Sequence, residues 1–171
     1  RHKDMSQVES SRSGAAFIAI SDFILKQGGV VYGVGYADHF RVVHKRATTS
    51  EERDEFKGSK YVQSDMGTIY RQVKKDLQSG LKVLFSGTPC QVSGLIKYLG
   101  KADTNKLITC DIVCHGVPSP LVWKEYLNYI SQGKQINLVT FRSKKSGWHH
   151  SELRVEGDGI NIAQNHGENP Y

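Results

Sequence analysis

The residues best placed for chemistry lie in two cysteine-containing loops, each of which follows an apolar, strand-like run. The run 82–86 leads into Gly87-Thr88-Pro89-Cys90-Gln91, and the run 107–113 leads into Cys114-His115-Gly116. In open parallel sheets, ligands bind outside the carboxyl ends of the strands. The sequence therefore predicts that these two loops contribute to one shared site.

Cys90 is predicted to lie at the amino end of a helix, because apolar residues repeat at helical spacing over 92–99 and Gly100 follows. The unpaired N–H groups and the helix dipole at such an end can lower a thiol pKa from about 8.5 to between roughly 3.5 and 7.5. The resulting thiolate could act as a nucleophile, as a redox thiol, or as a ligand of a metal or an iron–sulfur cluster. The alternative is a small buried hydrophobe that fills a turn.

Cys110 and Cys114 are four residues apart in the second run, so the alternation of a strand predicts that they share one face. Cys110 has apolar neighbours and is predicted to pack in the core. Cys114 is predicted to end the strand, which makes it the better ligand. Three cysteines cannot complete a four-thiolate site, so zinc or a cluster would also need His115, an exogenous ligand, or residues from outside this sequence.

Composition indicates a globular protein. The 171 residues are enough for one domain with a sizeable core. The net charge of +6 comes from 23 Lys and Arg against 17 Asp and Glu, and the basic residues are dispersed among acidic ones. Nucleic-acid binding usually shows a denser basic stripe, so anionic cofactor phosphates or an acidic protein partner are the preferred partners and no nucleic acid is expected.

Cysteine count and hydropathy bear on location. Three cysteines is an odd number, and no charged-then-apolar leader opens the sequence, so a reducing cytoplasm is the expected location. No apolar run approaches the roughly 20 residues that a membrane span requires. The polar ends, which begin at Arg1 and stop in loop-like composition, lead us to expect a fragment of a longer polypeptide.

Periodicity and turn residues predict an alternating order of elements along the chain. Asp65 is the expected N-cap of the second long helix. Helices are predicted over 14–26, 65–78, 90–99 and 120–130, a short helix or turn over 48–56, and strands over 30–36, 40–47, 82–86, 106–113, 136–142 and 148–155.

This order predicts an α/β fold with a mixed, partly parallel sheet, flanking helices and antiparallel additions. The strand–helix–strand–helix order over 82–132 favours parallel pairing, and the flanking hairpin-like runs supply the antiparallel additions. Residues 1–12 are predicted to be a flexible polar tail, and residues 13–171 a single α/β domain.

Three segments resemble the beta-subunit family of coenzyme F-420 hydrogenases and dehydrogenases. They are residues 56–64 (FKGSKYVQS), 83–91 (VLFSGTPCQ) and 113–120 (VCHGVPSP), and Phe141-Arg142 followed by Gly147-Trp148 is similar to a later motif. The resemblance runs in order from about Ser13 to Trp148. Members of the family usually carry a ferredoxin-like cysteine module before this region and a further Cys-x-x-Cys segment after it, and this sequence has neither.

The resemblance implies a flavin-containing electron-transfer oxidoreductase that carries FAD beside a 4Fe-4S cluster and, in some members, oxidises or reduces coenzyme F-420. Hydride exchange between a reduced substrate and the flavin would be followed by transfer of single electrons to a redox partner subunit or a small-molecule carrier. By motif, Cys90 and Cys114 are the implied cluster ligands. The implied cofactor-binding residues are Ser13, Gly14, Lys60, Tyr61, Gln63, Ser64, Thr88, Pro89, Gln91 and His115.

Two other functions fit the same residues. One is a cysteine-dependent acyl transferase or hydrolase, with Cys90 as nucleophile and His115 as base. The other is a non-catalytic partner-binding domain of a larger assembly. The first predicts selective alkylation of Cys90 with loss of turnover, and the second predicts neither a cofactor nor thiol reactivity.

Overall fold

A computed structural model describes residues 2–11, 13–143 and 152–165 of the chain. Contacts divide the chain into two compact units, which are described separately below. Unit 1 comprises residues 1–35, 43–57 and 65–115, and unit 2 comprises residues 36–42, 58–64 and 116–171.

Six α-helices and two short 3-10 turns lie within the described ranges. The helices are α1 (Met5–Ser10), α2 (Ala16–Leu25), α3 (Ser50–Asp54), α4 (Ile69–Gln78), α5 (Pro89–Leu99) and α6 (Pro120–Ser131). The 3-10 turns span Ser13–Ala15 and Asp38–Phe40. None of the helices in the described part of the chain is long and apolar enough to cross a membrane.

Seven strands form two sheets within the same ranges. The strands are β1 (Val30–Ala37), β2 (Arg41–Ala47), β3 (Val83–Gly87), β4 (Leu107–Asp111), β5 (Ile136–Ser143), β6 (Glu152–Gly157) and β7 (Ile160–Asn165). The first sheet has the order β2-β1-β3-β4, with β3 parallel to both of its neighbours, and the second is antiparallel with the order β5-β6-β7. The predicted α/β class with a mixed sheet is confirmed.

The core of unit 1 lies on both faces of the parallel strands. Successive side chains of a strand point to opposite faces, so Val83 and Phe85 join one apolar cluster while Leu84 joins another. The first cluster receives α4 and α5, and the second receives Ile24 of α2. Most of the apolar positions predicted on these helices therefore face the sheet, and β3 is buried from both sides. Phe23 of α2 and Ile96 of α5 are exceptions, since they are 59% and 48% exposed.

A buried guanidinium joins α3 to α2 within unit 1. Arg53 is only 2% exposed, and its Nη1 donates to Asp22 Oδ1 at 2.7 Å and to the Ile18 carbonyl at 3.2 Å. It also donates to the Ser21 hydroxyl. A buried charge needs such partners, because an unpaired one would carry a large desolvation cost. These bonds hold α3 against α2.

Unit 2 is organised around Trp123 of α6. Its indole ring lies 4.8 Å from the Phe141 ring, and its Nε1 donates to the Phe40 carbonyl at 3.0 Å. Inward-facing residues of β5 and β6, including Val139 and Val155, complete the apolar interior. Trp123 and Leu127, four residues apart on one face of α6, are both buried.

Several sequence-based boundaries need correction. Asp65 is not the N-cap of α4, because Thr68 holds that position, while the Asp65 carboxylate accepts the Gly67 N–H and its carbonyl accepts the His44 N–H. The sequence did not predict β7. The strand predicted over 148–155 is observed as β6, and its first four predicted residues lie outside the described ranges. The segment expected to be a flexible tail contains α1, and the single-domain assignment stays a prediction.

Candidate functional site

The carboxyl ends of β3 and β4 lie side by side in unit 1. The strands pair in register from Val83 with Leu107 to Gly87 with Asp111. The Ile112 N–H then donates to the Gly87 carbonyl at 3.0 Å, which extends the pairing by one further bond. Cys90 and Cys114 each follow the last registered pair by three residues. The prediction that two cysteine loops leave adjacent parallel strands is confirmed.

The placement of the other cysteine differs from the prediction in one respect. Because β4 ends at Asp111, Cys114 lies in the following loop and does not share a strand face with Cys110. The prediction that Cys110 packs in the core is confirmed, since it contacts the cluster around Leu84. Burial raises the pKa of the Cys110 thiol, and the neighbouring Asp111 carboxylate adds to this effect. None of the three cysteines is part of a disulfide bond.

The start of α5 presents Cys90 as an exposed side chain. Pro89 occupies the first turn, where its missing N–H costs no helical hydrogen bond. Thr88 Oγ1 lies 3.1 Å from Cys90 Sγ. Gln91 Oε1 accepts the Thr88 N–H at 3.0 Å. Two of the predicted cofactor-binding residues therefore already cap the helix, and the Thr88 N–H is committed to Gln91.

Two residues that the sequence analysis missed, His44 and Tyr70, hydrogen-bond to the backbone on either side of this loop. His44 is buried, stacks on Phe85 with 5.4 Å between the ring centroids, and donates from Nε2 to the Ser86 carbonyl at 3.1 Å. Burial lowers the pKa of His44 to about 4, although the bond to Ser86 opposes the shift. Tyr70 donates its hydroxyl to the Gln91 carbonyl at 2.8 Å.

Gly87 fits this arrangement because it has no side chain. A Cβ atom there would lie 3.0 Å from Gln91 Oε1 and 3.3 Å from His44 Nε2, tighter than ordinary contact. Neither His44 nor Tyr70 carries a local sequence signal for this role, since His44 comes from a distant strand and Tyr70 belongs to the apolar stripe of α4. The contact to Gln91 appears only once α4 and α5 pack together.

Ser13 and Gly14 lie in a left-handed turn at the start of α2. Ser13, Gly14 and Ala15 have φ angles of 50°, 64° and 58°. The Gly14 carbonyl accepts the His2 N–H at 2.7 Å. Turns of this kind can gather backbone N–H groups that bind anions. Two of the three are not glycine, so the turn is strained.

The other predicted cofactor residues belong to unit 2. Lys60 Nζ lies 5.5 Å from the centre of the Tyr36 ring, and burial raises the pKa of the Tyr36 phenol. Tyr61 meets Phe141 edge-on at 5.8 Å. The Gln63 N–H donates to the Pro118 carbonyl at 3.0 Å, and Ser64 is buried. The predicted set is thus divided between the two units.

Within the described ranges, no group of three or more His, Cys, Asp or Glu side chains could hold a metal ion. Cysteine sulfur is a ligand type that iron–sulfur clusters use, and a cluster needs four such ligands. His115 follows Cys114 in an exposed bend. Cys90 and Cys114 alone could therefore supply at most two of four cluster ligands.

The fold and the site define an α/β domain with paired cysteine loops at the carboxyl edge of a parallel sheet. The family model for the carboxy-terminal part of the coenzyme F-420 hydrogenase/dehydrogenase beta subunit matches residues 80–167, which include both loops. The chain belongs to this family. The predicted resemblance is confirmed.

Comparison with solved structures also finds a chain with a similar fold. A chain in a xenon-derivatised structure of the F-420-reducing NiFe hydrogenase complex from Methanosarcina barkeri matches with a TM-score of 0.65 and 15% sequence identity. The match covers 99% of this chain and 62% of that chain. No curated protein matches the sequence. At this identity the likeness shows a shared fold, and this sequence corresponds to less than two thirds of the solved chain.

Proposed function

We propose that this chain is part of a flavin- and iron–sulfur-dependent electron-transfer oxidoreductase similar to the beta subunits of its family. The observation that carries the proposal is the registered end of β3 and β4, from which Cys90 and Cys114 depart after equal spacings. Ligand sites of parallel sheets form at this edge. Membership of the family makes redox chemistry the best-supported use of the two thiols.

Cys90 and Cys114 are the proposed cluster ligands. Neither is part of a disulfide bond, and Cys90 is exposed while Cys114 is half-buried. The Thr88 hydroxyl lies within hydrogen-bonding distance of Cys90 Sγ, so it can donate to a thiolate there. Hydrogen bonds to ligand sulfur raise the reduction potential of a cluster. Polypeptide outside this sequence would supply the remaining ligands.

The proposed FAD-binding residues are those of three polar segments, with His115 in the second cysteine loop. Gly14 and the left-handed turn around it offer N–H groups to a diphosphate. Lys60 would place a cation near a diphosphate or a reduced, anionic ring. The full set is Ser13, Gly14, Lys60, Tyr61, Gln63, Ser64, Thr88, Pro89, Gln91 and His115.

When bound, FAD would supply hydride chemistry and a 4Fe-4S cluster would supply one-electron transfer. The residues of this chain would bind and orient these groups and tune their potentials. Coenzyme F-420 or another small-molecule carrier would exchange electrons at the flavin, and a redox partner subunit would exchange them at the cluster. We place this activity in the cytoplasm, where free thiols stay reduced.

Anaerobic purification of the full-length protein tests the proposal. A yellow-brown protein is expected, with visible absorption from both cofactors, flavin released on denaturation, and iron and sulfide in equal amounts. A colourless protein that binds neither added FAD nor reconstituted iron would contradict it. Reconstitution with iron, sulfide and FAD separates loss during purification from lack of binding.

No specific observation in the described residues favours either alternative function. A cysteine hydrolase needs an imidazole to accept the thiol proton of Cys90, whereas the group in contact with its sulfur is the Thr88 hydroxyl. A purely partner-binding role leaves the adjacent cysteine loops without a use. Electron transfer therefore remains the proposal.

A further inference from the structure

An open groove lies within unit 2, and none of the residues assigned to a cofactor above lines it. It has a volume of about 800 Å³. The groove is lined by the turn 38–40, the start of β2, one side of α6 and residues 134–136. The α6 residues that line it run from Pro120 to Ser131, so the groove follows the helix for about 16 Å.

The groove has an apolar floor. Trp123 and Leu127 are buried beneath it, and Leu121 is 65% exposed along its side. Ile136 continues the apolar surface at the far end. Leu121 therefore adds an exposed apolar side chain next to the buried Trp123 and Leu127 of the groove. The floor is suited to a row of apolar side chains.

The rim of the groove is cationic. Arg41, Lys124 and Lys134 are all exposed and line it, with His39 beside them. Among the described lining residues, the carboxylate of Asp38 is the one acidic group. Like charges gathered around an apolar cleft focus a positive potential on it. The complementary ligand carries negative charge on its outer side and apolar groups on its inner side.

From this arrangement we propose that the groove binds an acidic amphipathic segment of a partner protein, of about three helical turns. A helix of about 11 residues matches the length of the groove, and such helices commonly dock through apolar residues repeated every third or fourth position. Glutamate or aspartate on its other face would meet the three cations. A second copy of this chain is a poor occupant, because each copy carries a net charge of +6.

The turn at the mouth of the groove is held in a strained conformation. His39 and Phe40 both have a φ of 55°, which is unfavourable for residues with bulky side chains. The bond from Trp123 Nε1 to the Phe40 carbonyl and the edge-on contact of Phe40 with Tyr36 at 5.3 Å hold it there. This turn is therefore preformed, which reduces the ordering cost of binding.

Fluorescence polarisation with two labelled peptides tests the proposal on the whole chain. The first probe is a peptide of about 12 residues with leucines on one helical face and glutamates on the other, and the second has lysines in place of the glutamates. The glutamate peptide is expected to bind at least about tenfold more tightly, with an affinity that falls as salt rises from about 0.05 to about 0.5 M.

The double variant Lys124→Glu/Lys134→Glu is expected to weaken binding of the glutamate peptide by at least about tenfold. The matched control is Lys97→Glu/Lys101→Glu, which makes the same change in net charge at exposed positions of unit 1 and should alter the affinity by less than about twofold. The variant Leu121→Ser tests the apolar floor. Thermal melts establish that each variant is folded.

Three outcomes would overturn the proposal. The two peptides could bind equally, or both double variants could lose affinity equally, which would indicate a response to net charge alone. Sedimentation could reveal a dimer that Lys124→Glu/Lys134→Glu dissociates, which would assign the groove to a second copy. FAD could displace the peptide, which would make the groove a cofactor site. Because the assay needs no cofactor, its result is independent of the proposed electron-transfer function.

Discussion

The two cysteine loops of unit 1 follow adjacent strands but differ in how firmly the fold holds them. After β3, the chain enters α5 at once, and His44, Gln91 and Tyr70 bond to or around the turn. After β4, the chain runs without regular structure to α6, and the first two loop residues, Ile112 and Val113, are 53% and 88% exposed.

If the two thiols are cluster ligands as proposed, this difference predicts distinct roles for them. Cys90 lies on a preorganised scaffold, so its position is set before any cofactor binds. Cys114 lies two residues beyond the last bond to β3, from Ile112 to Gly87, in a loop with exposed apolar side chains. We expect the first loop to determine where a cluster forms and the second to order fully when the rest of the ligand set is present.

The largest expected effect is a difference in folding stability between substitutions near the first loop and in the second loop. Phe85→Ala removes a fully buried ring beneath the first loop and should lower the free energy of unfolding by about 3–5 kcal/mol. Ile112→Ala in the second loop should change it by no more than about 0.5 kcal/mol. Denaturant unfolding measures both. Equal losses would show that the second loop is as firmly packed as the first.

Acid should weaken the first loop through His44. Its pKa is about 4 in the folded protein and 6.5 in the reference state, so the native state binds the proton less readily. Stability is therefore complete above pH 6.5 and falls as the pH drops toward 4, by about 3 kcal/mol for this group.

Denaturant titrations at several pH values measure this effect. His44→Gln is the control, because an amide can still donate to the Ser86 carbonyl but does not titrate. The difference between the two proteins isolates the imidazole from the acidic residues. Parallel pH profiles would contradict the assignment.

Gly87→Ala should cost about 1–3 kcal/mol, since the added methyl group must displace Gln91 or His44. Val113→Ala, a truncation at an exposed position of the second loop, should be near neutral. Thermal unfolding compares the pair. A neutral Gly87→Ala would show that the first turn is more adaptable than its contacts indicate.

The smallest loss of stability is expected from a substitution in the first turn of α4. Tyr70→Phe removes the hydroxyl that donates to Gln91 and should cost about 0.5–1.5 kcal/mol. Tyr98→Phe is matched to it, because Tyr98 packs against Tyr70 but is 46% exposed. Urea unfolding of both variants is sufficient, and an equal response would remove the case for a specific bond.

The sequence was sufficient for the elements with strong periodicity. Apolar spacing and Gly100 placed Cys90 in the first turn of α5, and the predicted helix over 120–130 matches α6 within one residue. The end of β4 was not predictable, because Ile112 and Val113 favour strands while the pairing stops where β3 turns into α5. Edge strand β7 was missed because asparagine and glutamine weaken its pattern.

The candidate site likewise combines features that the sequence predicts with features that it does not. Residue type and position after a strand identified both cysteine loops, because that reasoning needs only local order. His44 and Tyr70 act through contacts 42 and 21 residues away along the chain. No local pattern encodes such contacts. The predicted cofactor residues rest on motif similarity and stay predictions.

The most direct test of the proposed electron-transfer role is the iron content of three serine variants in the full-length protein, purified anaerobically. Cys90→Ser and Cys114→Ser should each lose most of the iron and the cluster absorption. Cys110→Ser should keep both, because Cys110 packs against the core. Equal iron in all three variants would contradict the account.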